Sequence, residues 1–137
     1  MKKWCEISNV SDRERNEFVR QFLQDNGCEN SVEFFEVGTT EIKKTIIDAQ
    51  KEFDAIRIHP NYGIEALNAF EGIPSEMLFI GAADCWVKAE GGWWPRNMLY
   101  RAFHKVISKT ASRLNLESDV LIIGTDATAR GLCKWVF

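Results

Sequence analysis

The sequence predicts an α/β domain: an open, mainly parallel sheet in three layers, with helices on both faces. Three observations carry that reading. Short apolar runs of strand length alternate with longer runs whose apolar residues recur every three to four positions. Turn residues (Asn26-Gly27, Gly38, Pro60, Gly91-Gly92) fall between the runs. Character also alternates in Ile56-Arg57-Ile58-His59, which puts Arg57 and His59 on one strand face. In open sheets of this kind ligands bind outside the carboxyl ends of the strands. The stretch 53–97, with two buried-looking strands that each run into a polar turn, is therefore expected to hold the site.

Taken in order, residues 4–7 form a short strand. Ser11 is placed to cap a helix over 12–25, with Glu14 completing a capping box. Phe18, Val19, Phe22 and Leu23 make its apolar stripe, and Asn26-Gly27 ends it. Residues 32–37 (VEFFEV) form the next strand. Gly38-Thr39-Thr40 caps a helix over 41–52 that turns Ile42, Ile46, Ile47 and Ala49 inward. A strand over 54–59 is closed by Pro60, and 63–70 is a short helix. Residues 77–80 and 85–89 are strands flanking Gly81. Glu90-Gly91-Gly92 then turns the chain into a second arm, Trp93-Trp94-Pro95. A helix over 98–114 lines Leu99, Ala102, Phe103, Val106 and Ile107 along one side. Residues 119–123 read as a strand buried on both sides, running through Gly124 into a helix from about Ala127.

A chain of 137 residues supports one domain with a sizeable core. A formal net charge of −3 gives no electrostatic footprint for nucleic acid or an anionic membrane, and neither is expected as a partner. No apolar run reaches the roughly 20 residues of a membrane span, and the start MKKWCEIS lacks a signal-peptide core, so the cytoplasm is expected. The four cysteines, Cys5, Cys28, Cys85 and Cys133, show no metal-ligand spacing; they read as small buried hydrophobes, and no metal is expected. Of the five tryptophans, Trp86, Trp93 and Trp94 cluster around the last strands. They read as packing, or else as an interface patch that a homodimer would cover.

Several polar residues stand out. Arg57 and His59, with Asp84 on a neighbouring strand, can form a site for a small anion; the structural alternative is an Arg57–Asp84 salt bridge beside His59. His59 and Tyr62 can form an acid/base couple, or Tyr62 can cap the sheet edge with His59 hydrogen-bonded to it. Asn97 is a helix N-cap in the ordinary reading. His104 has no acidic neighbour in sequence and reads as a surface or packing residue.

Four stretches, taken in order and spacing, resemble the shikimate (quinate) dehydrogenase family. FDAIRIH from Phe53 to His59 is similar to the family's "fDGinVT", and Ile80-Gly81-Ala82-Ala83-Asp84-Cys85 to "iGAvNT". Glu90-Gly91-Gly92-Trp93-Trp94-Pro95-Arg96-Asn97 is similar to "dGxlxGxN", and the stretch 120–131 to "vlvlGaGGaara". The resemblance implies a first lobe that binds shikimate and a second, Rossmann lobe that binds NADP, with hydride passing between substrate C3 and the nicotinamide. It divides this chain into a substrate lobe (1–97), a connector helix (98–117) and the truncated start of a Rossmann domain, its first βα unit (118–137). Ser11, Arg57, His59, Tyr62, Asp84 and Asn97 fall at substrate-binding positions, and Gly124, Ala129 and Arg130 at cofactor positions.

In the family a lysine and an aspartate flank the reacting hydroxyl and move its proton. Here Tyr62 stands at the lysine position and Leu99 at the aspartate position. His59 replaces a threonine, Asp84 an asparagine, and Asp12 the proline after Ser11, while Asn16 matches. Asp126 replaces the second glycine of the dinucleotide turn. A like charge ~4 Å from a phosphate costs roughly 4 kcal/mol at an effective dielectric near 20. The expectation is therefore a catalytically inactive relative. The alternatives are a binding module for a small cyclic carboxylate and a structural or dimerisation domain.

Overall fold

The computed structural model describes residues 3–10, 12–27, 31–110, 121–124 and 127–136. The elements are β1 (Lys3–Ser8), α1 (Arg13–Asp25), β2 (Ser31–Glu36), α2 (Ile42–Glu52), β3 (Ala55–Ile58), α3 (Gly63–Leu67), α4 (Ser75–Ile80), β4 (Cys85–Ala89), β5 (Gly92–Arg96), α5 (Met98–Thr110) and α6 (Ala127–Val136), with a tight 3-10 turn at Pro60–Tyr62. One sheet runs in the order β2-β1-β3-β4-β5. β1 pairs parallel with β2 and β3, whereas β3–β4 and β4–β5 are antiparallel. Every strand except β4 therefore points the same way, and the expected mainly parallel α/β sheet is what forms.

The core lies on one sheet face. Cys5, Ile7, Ile56, Ile58 and Trp86 alternate inward along β1, β3 and β4 and are fully buried. Ile42, Ile46 and Ala49 of α2 pack in the same cluster, with Tyr62, Leu67, Met77 and Ile80 from the turn and helices beyond β3. Their spacing of four and three residues along α2 is one helical stripe. Ile47 lies one step round that stripe and stays exposed, contrary to its expected inward position. Phe70 stacks on Trp86 and tilts against Trp93, so two members of the tryptophan cluster belong to packing. Pro95 sits on the edge strand β5, where a missing N–H costs no ladder bond.

Three local expectations are corrected. Residues 77–80 form a helix, not a strand: Met77 and Ile80, three apart, face in while Leu78 and Phe79 face out. A strand would put Met77 and Phe79 on the same side. Gly81 closes this helix at φ +69, a left-handed C-cap. The N-cap of α1 is Asp12, whose carboxylate accepts from the Arg15 amide at 2.9 Å; Ser11 lies outside the described residues. The aromatic stripe of α1 is also rolled outward, leaving Phe18 68% and Phe22 55% exposed. Arg15, Val19 and Leu23, four residues apart, turn in instead.

Leu121 and Ile123, expected in a strand buried on both sides, are 83% and 88% exposed, and 121–124 carry no regular secondary structure. Among the described residues no strand flanks them. Val106, expected on the apolar side of α5, is exposed too. α6 packs on α5, α4 and the Pro60–Tyr62 turn. The approach is close, since a Cβ on Gly131 would meet Asn97 Oδ1 and Tyr100 Cβ at 3.2 Å. Among the described residues no helix is long and apolar enough to cross a membrane.

Candidate functional site

The second sheet face is built from cross-strand rows. Phe34, Glu6, Arg57, Cys85 and Arg96 are direct register partners across all five strands, so their side chains share one face. Glu6 sits in the middle of β1 and is only 5% exposed. Its carboxylate accepts from Arg15 Nη1 and Nη2, both at 2.8 Å, and from Arg57 Nη1 at 2.7 Å. A buried carboxylate must be paired. That requirement turns the Arg15 side of α1 toward the sheet and rolls Phe18 and Phe22 outward. The expected Arg57–Asp84 salt bridge is not formed, because Glu6 takes Arg57 instead. Sequence reasoning singles out neither Glu6 nor Arg15; the available signal is a lone carboxylate between Cys5 and Ile7 in an apolar strand.

Asp84 lies just before β4 and is buried. Its Oδ1 accepts from the Met98 amide at 2.6 Å and its Oδ2 from the Leu99 amide at 2.9 Å. Asn97 Oδ1 accepts from the Tyr100 amide at 2.8 Å. Two side chains thus satisfy the first three free amides of α5, which makes Asn97 the N-cap of the ordinary reading. Burial pushes the Asp84 carboxyl above its usual range, opposed by the Met98 and Leu99 amides and by the Arg57 charge nearby. Cys85, beside it, is raised to about 11, chiefly by burial and then by Asp84, with Arg57 and Arg96 opposing.

His59 and Tyr62 do not couple. His59 Nδ1 accepts from the Asn61 amide at 3.3 Å and caps the tight turn, while the Tyr62 hydroxyl donates to the Val37 carbonyl at 3.0 Å. Tyr62 is 3% exposed and fastens that turn to the end of β2. Arg57, His59, Tyr62, Asp84 and Asn97 thus all lie around the carboxyl ends of β1 and β3 and the start of α5. Each one holds a backbone or a carboxylate of the chain itself.

At the expected cofactor positions, Gly124 has φ +151, and a Cβ there would lie 3.0 Å from that of Ala129, which is buried. Such a close turn suits a dinucleotide loop. Arg130 Nη1 lies 2.9 Å from where a Cβ on Gly81 would stand, against the end of α4. Of the three residues, Gly124 and Ala129 are thus compatible with a dinucleotide turn, while Arg130 reaches toward α4. Asp126 lies outside the described residues. Among the described residues no group of His, Cys, Asp and Glu is placed to hold a metal ion.

No family model matches the chain, and no curated protein matches it. Solved structures do. Shikimate dehydrogenase 1 from Peptoclostridium difficile superimposes with a TM-score of 0.79 at 14% identity, over 99% of this chain and 52% of that one. The fold is that of the shikimate dehydrogenases. The enzyme from Aquifex aeolicus gives 0.79 at 17% identity, again over 99% of this chain and 52% of that one. Shikimate 5-dehydrogenase from Thermus thermophilus, in complex with NADP(H) and shikimate, gives 0.78 at 17%, with the same coverage. The chain spans about half the length of these shikimate dehydrogenase structures.

Proposed function

We infer that the chain is a shikimate dehydrogenase-like protein whose substrate lobe (1–97), connector (98–117) and first βα unit (118–137) keep the scaffold without the hydride-transfer chemistry. One observation carries this reading. Tyr62, at the position the resemblance gives to the proton-transferring lysine, is buried with its hydroxyl held on the Val37 carbonyl. A general acid or base must be within hydrogen-bond reach of the proton it moves, and this phenol is directed elsewhere. The aspartate position holds Leu99, which has no proton to exchange. For the cofactor the same conclusion is supported by Asp126, which stands at the position the resemblance gives to the second glycine of the dinucleotide turn and would set a like charge against the phosphates. Incubating the purified chain with shikimate and NADP and following NADPH absorbance is expected to give no turnover. Measurable oxidation would overturn the reading.

A second reading, a binding site for a small cyclic carboxylate in the crevice, is favoured by Arg57. Its side chain is 42% exposed although Glu6 holds one of its nitrogens, so donors remain for a ligand. Shikimate is expected to raise the thermal midpoint saturably, and Arg57→Ala to abolish that rise while the variant still folds. No shift across a panel of cyclic acids would remove this reading and leave the first untouched.

A further inference from the structure

Three short segments carry most of the candidate site: the turn after β3 with His59 and Tyr62, residues 81–84 ending on Asp84, and the start of α5 with Asn97. They are well separated in sequence, and α6 meets all three. It packs on the Pro60–Tyr62 turn, on α4 directly before Gly81, and on α5.

Two consecutive residues of α6 make the closest approaches. Gly131 is buried in the middle of the helix. A glycine there weakens a helix relative to alanine, so packing is the reason to look for. A Cβ on it would meet Asn97 Oδ1 and Tyr100 Cβ at 3.2 Å and Asn97 Nδ2 at 3.4 Å. That same Oδ1 accepts from the Tyr100 amide, and Asn97 Nδ2 reaches the Ala82 carbonyl at 3.5 Å. The backbone of α6 thus presses on the side chain that joins α5 to residues 81–84. Arg130 acts at the other end of that segment. Its Nη1 and the Leu78 carbonyl lie 2.9 and 4.0 Å from the point where a Cβ on Gly81 would stand. The guanidinium is therefore at the carboxyl end of α4, where the last carbonyls favour a cation. Gly81 suits this place twice over, through its φ of +69 and through the room it leaves for the guanidinium.

We propose that α6 is a latch on the candidate site: Gly131 and Arg130 clamp the start of α5 and residues 81–84 together, so that the caps made by Asn97 and Asp84 depend on α6 being docked. Asp84 ends the clamped segment and holds the Met98 and Leu99 amides, while Asn97 holds that of Tyr100. The main partners of α6 are α4, α5 and the Pro60–Tyr62 turn, so its release parts these caps before it disturbs the sheet. The latch couples the unit that begins after α5 to the crevice of the first lobe. It is a matter of packing and independent of both functional readings, so NADPH turnover by the chain would leave it standing.

Amide hydrogen exchange of the whole chain, followed by NMR, separates a latch from ordinary packing. Gly131→Leu is expected to lift α6 and to speed exchange at Met98, Leu99 and Tyr100 about tenfold, the order of an N-cap lost, while the Ile7 and Ile56 amides of the sheet keep their rates. Arg130→Gln should give the same pattern at smaller amplitude, and Arg130→Lys, which keeps the charge, should restore most of the protection. Circular dichroism and the thermal midpoint establish that the variants fold. Protection at Met98, Leu99 and Tyr100 unmoved by Gly131→Leu while α6 exchanges faster would overturn the proposal, since the caps would then stand without α6. Unchanged exchange in α6 itself would do the same, by showing that the leucine is accommodated. Equal acceleration at Ile7 and Ile56 would also overturn it, by making the effect global rather than local.

Discussion

The two faces of the sheet are made by the same strands and have opposite fates. On one, Ile7, Ile56, Ile58 and Trp86 are sealed by α2 and the segments after β3. On the other, the intervening residues of the same strands, Glu6, Arg57, Cys85 and Val87, carry the charged row. The alternation of a strand separates a face that stabilises from a face free to carry charge. The price of that freedom is a buried carboxylate, which dictates how α1 docks.

The largest expected effect that tests this contrast is on the sealed face. Ile56→Ala should cost about 2–5 kcal/mol in urea denaturation, the usual range for truncating a fully buried aliphatic side chain. A cost near zero would mean that this face is not the core. On the charged face Glu6→Gln removes the charge that holds two arginines. Both arginines are partly exposed and can be rehydrated, so the loss should be about 1–3 kcal/mol rather than that of a fully buried pair. A double-mutant cycle with Arg15→Gln should show clear coupling. Additive effects would sever the link between Glu6 and the roll of α1.

The join between the faces gives the next effect. Asp84→Ala should lower stability by about 1 kcal/mol through loss of an N-cap for α5. Its pH dependence has a definite sign. The folded-state pKa of Asp84 is raised by burial, so the part of stability linked to its protonation, separate from the cap bonds, is fully present below the ordinary carboxyl value and is lost as pH rises through the folded value. An NMR titration of the Asp84 carboxyl carbon should show a midpoint above the ordinary aspartate value of about 3.9. A midpoint below it would mean that the two amides outweigh burial. The smallest effect should be that of Val87→Ala, within about 0.5 kcal/mol, because the side chain is already exposed.

Much of the fold was legible in the sequence. Strands β1, β2, β3 and β4 and helices α1, α2 and α5 appeared where period two or period 3.6 was strong. Residues 77–80 were misread because four consecutive apolar residues suit a strand or a helix equally, and only the inward turn of Met77 and Ile80 decides. Of the candidate site, the sequence disclosed which residues come together but not what they hold. Arg57, His59, Tyr62, Asp84 and Asn97 do gather at the carboxyl ends. Their partners (Glu6, the Asn61 amide, the Val37 carbonyl and the amides of α5) are mostly distant in sequence and have no local pattern.

By itself the sequence determined the alternation of strands and helices, the buried stripe of α2 and the Asn97 cap, because period and capping are local properties. Only the tertiary structure decided that Glu6 claims Arg57 and that Tyr62 turns to Val37. A buried charge takes whichever opposite charge the fold brings within reach, and that depends on which strands become neighbours.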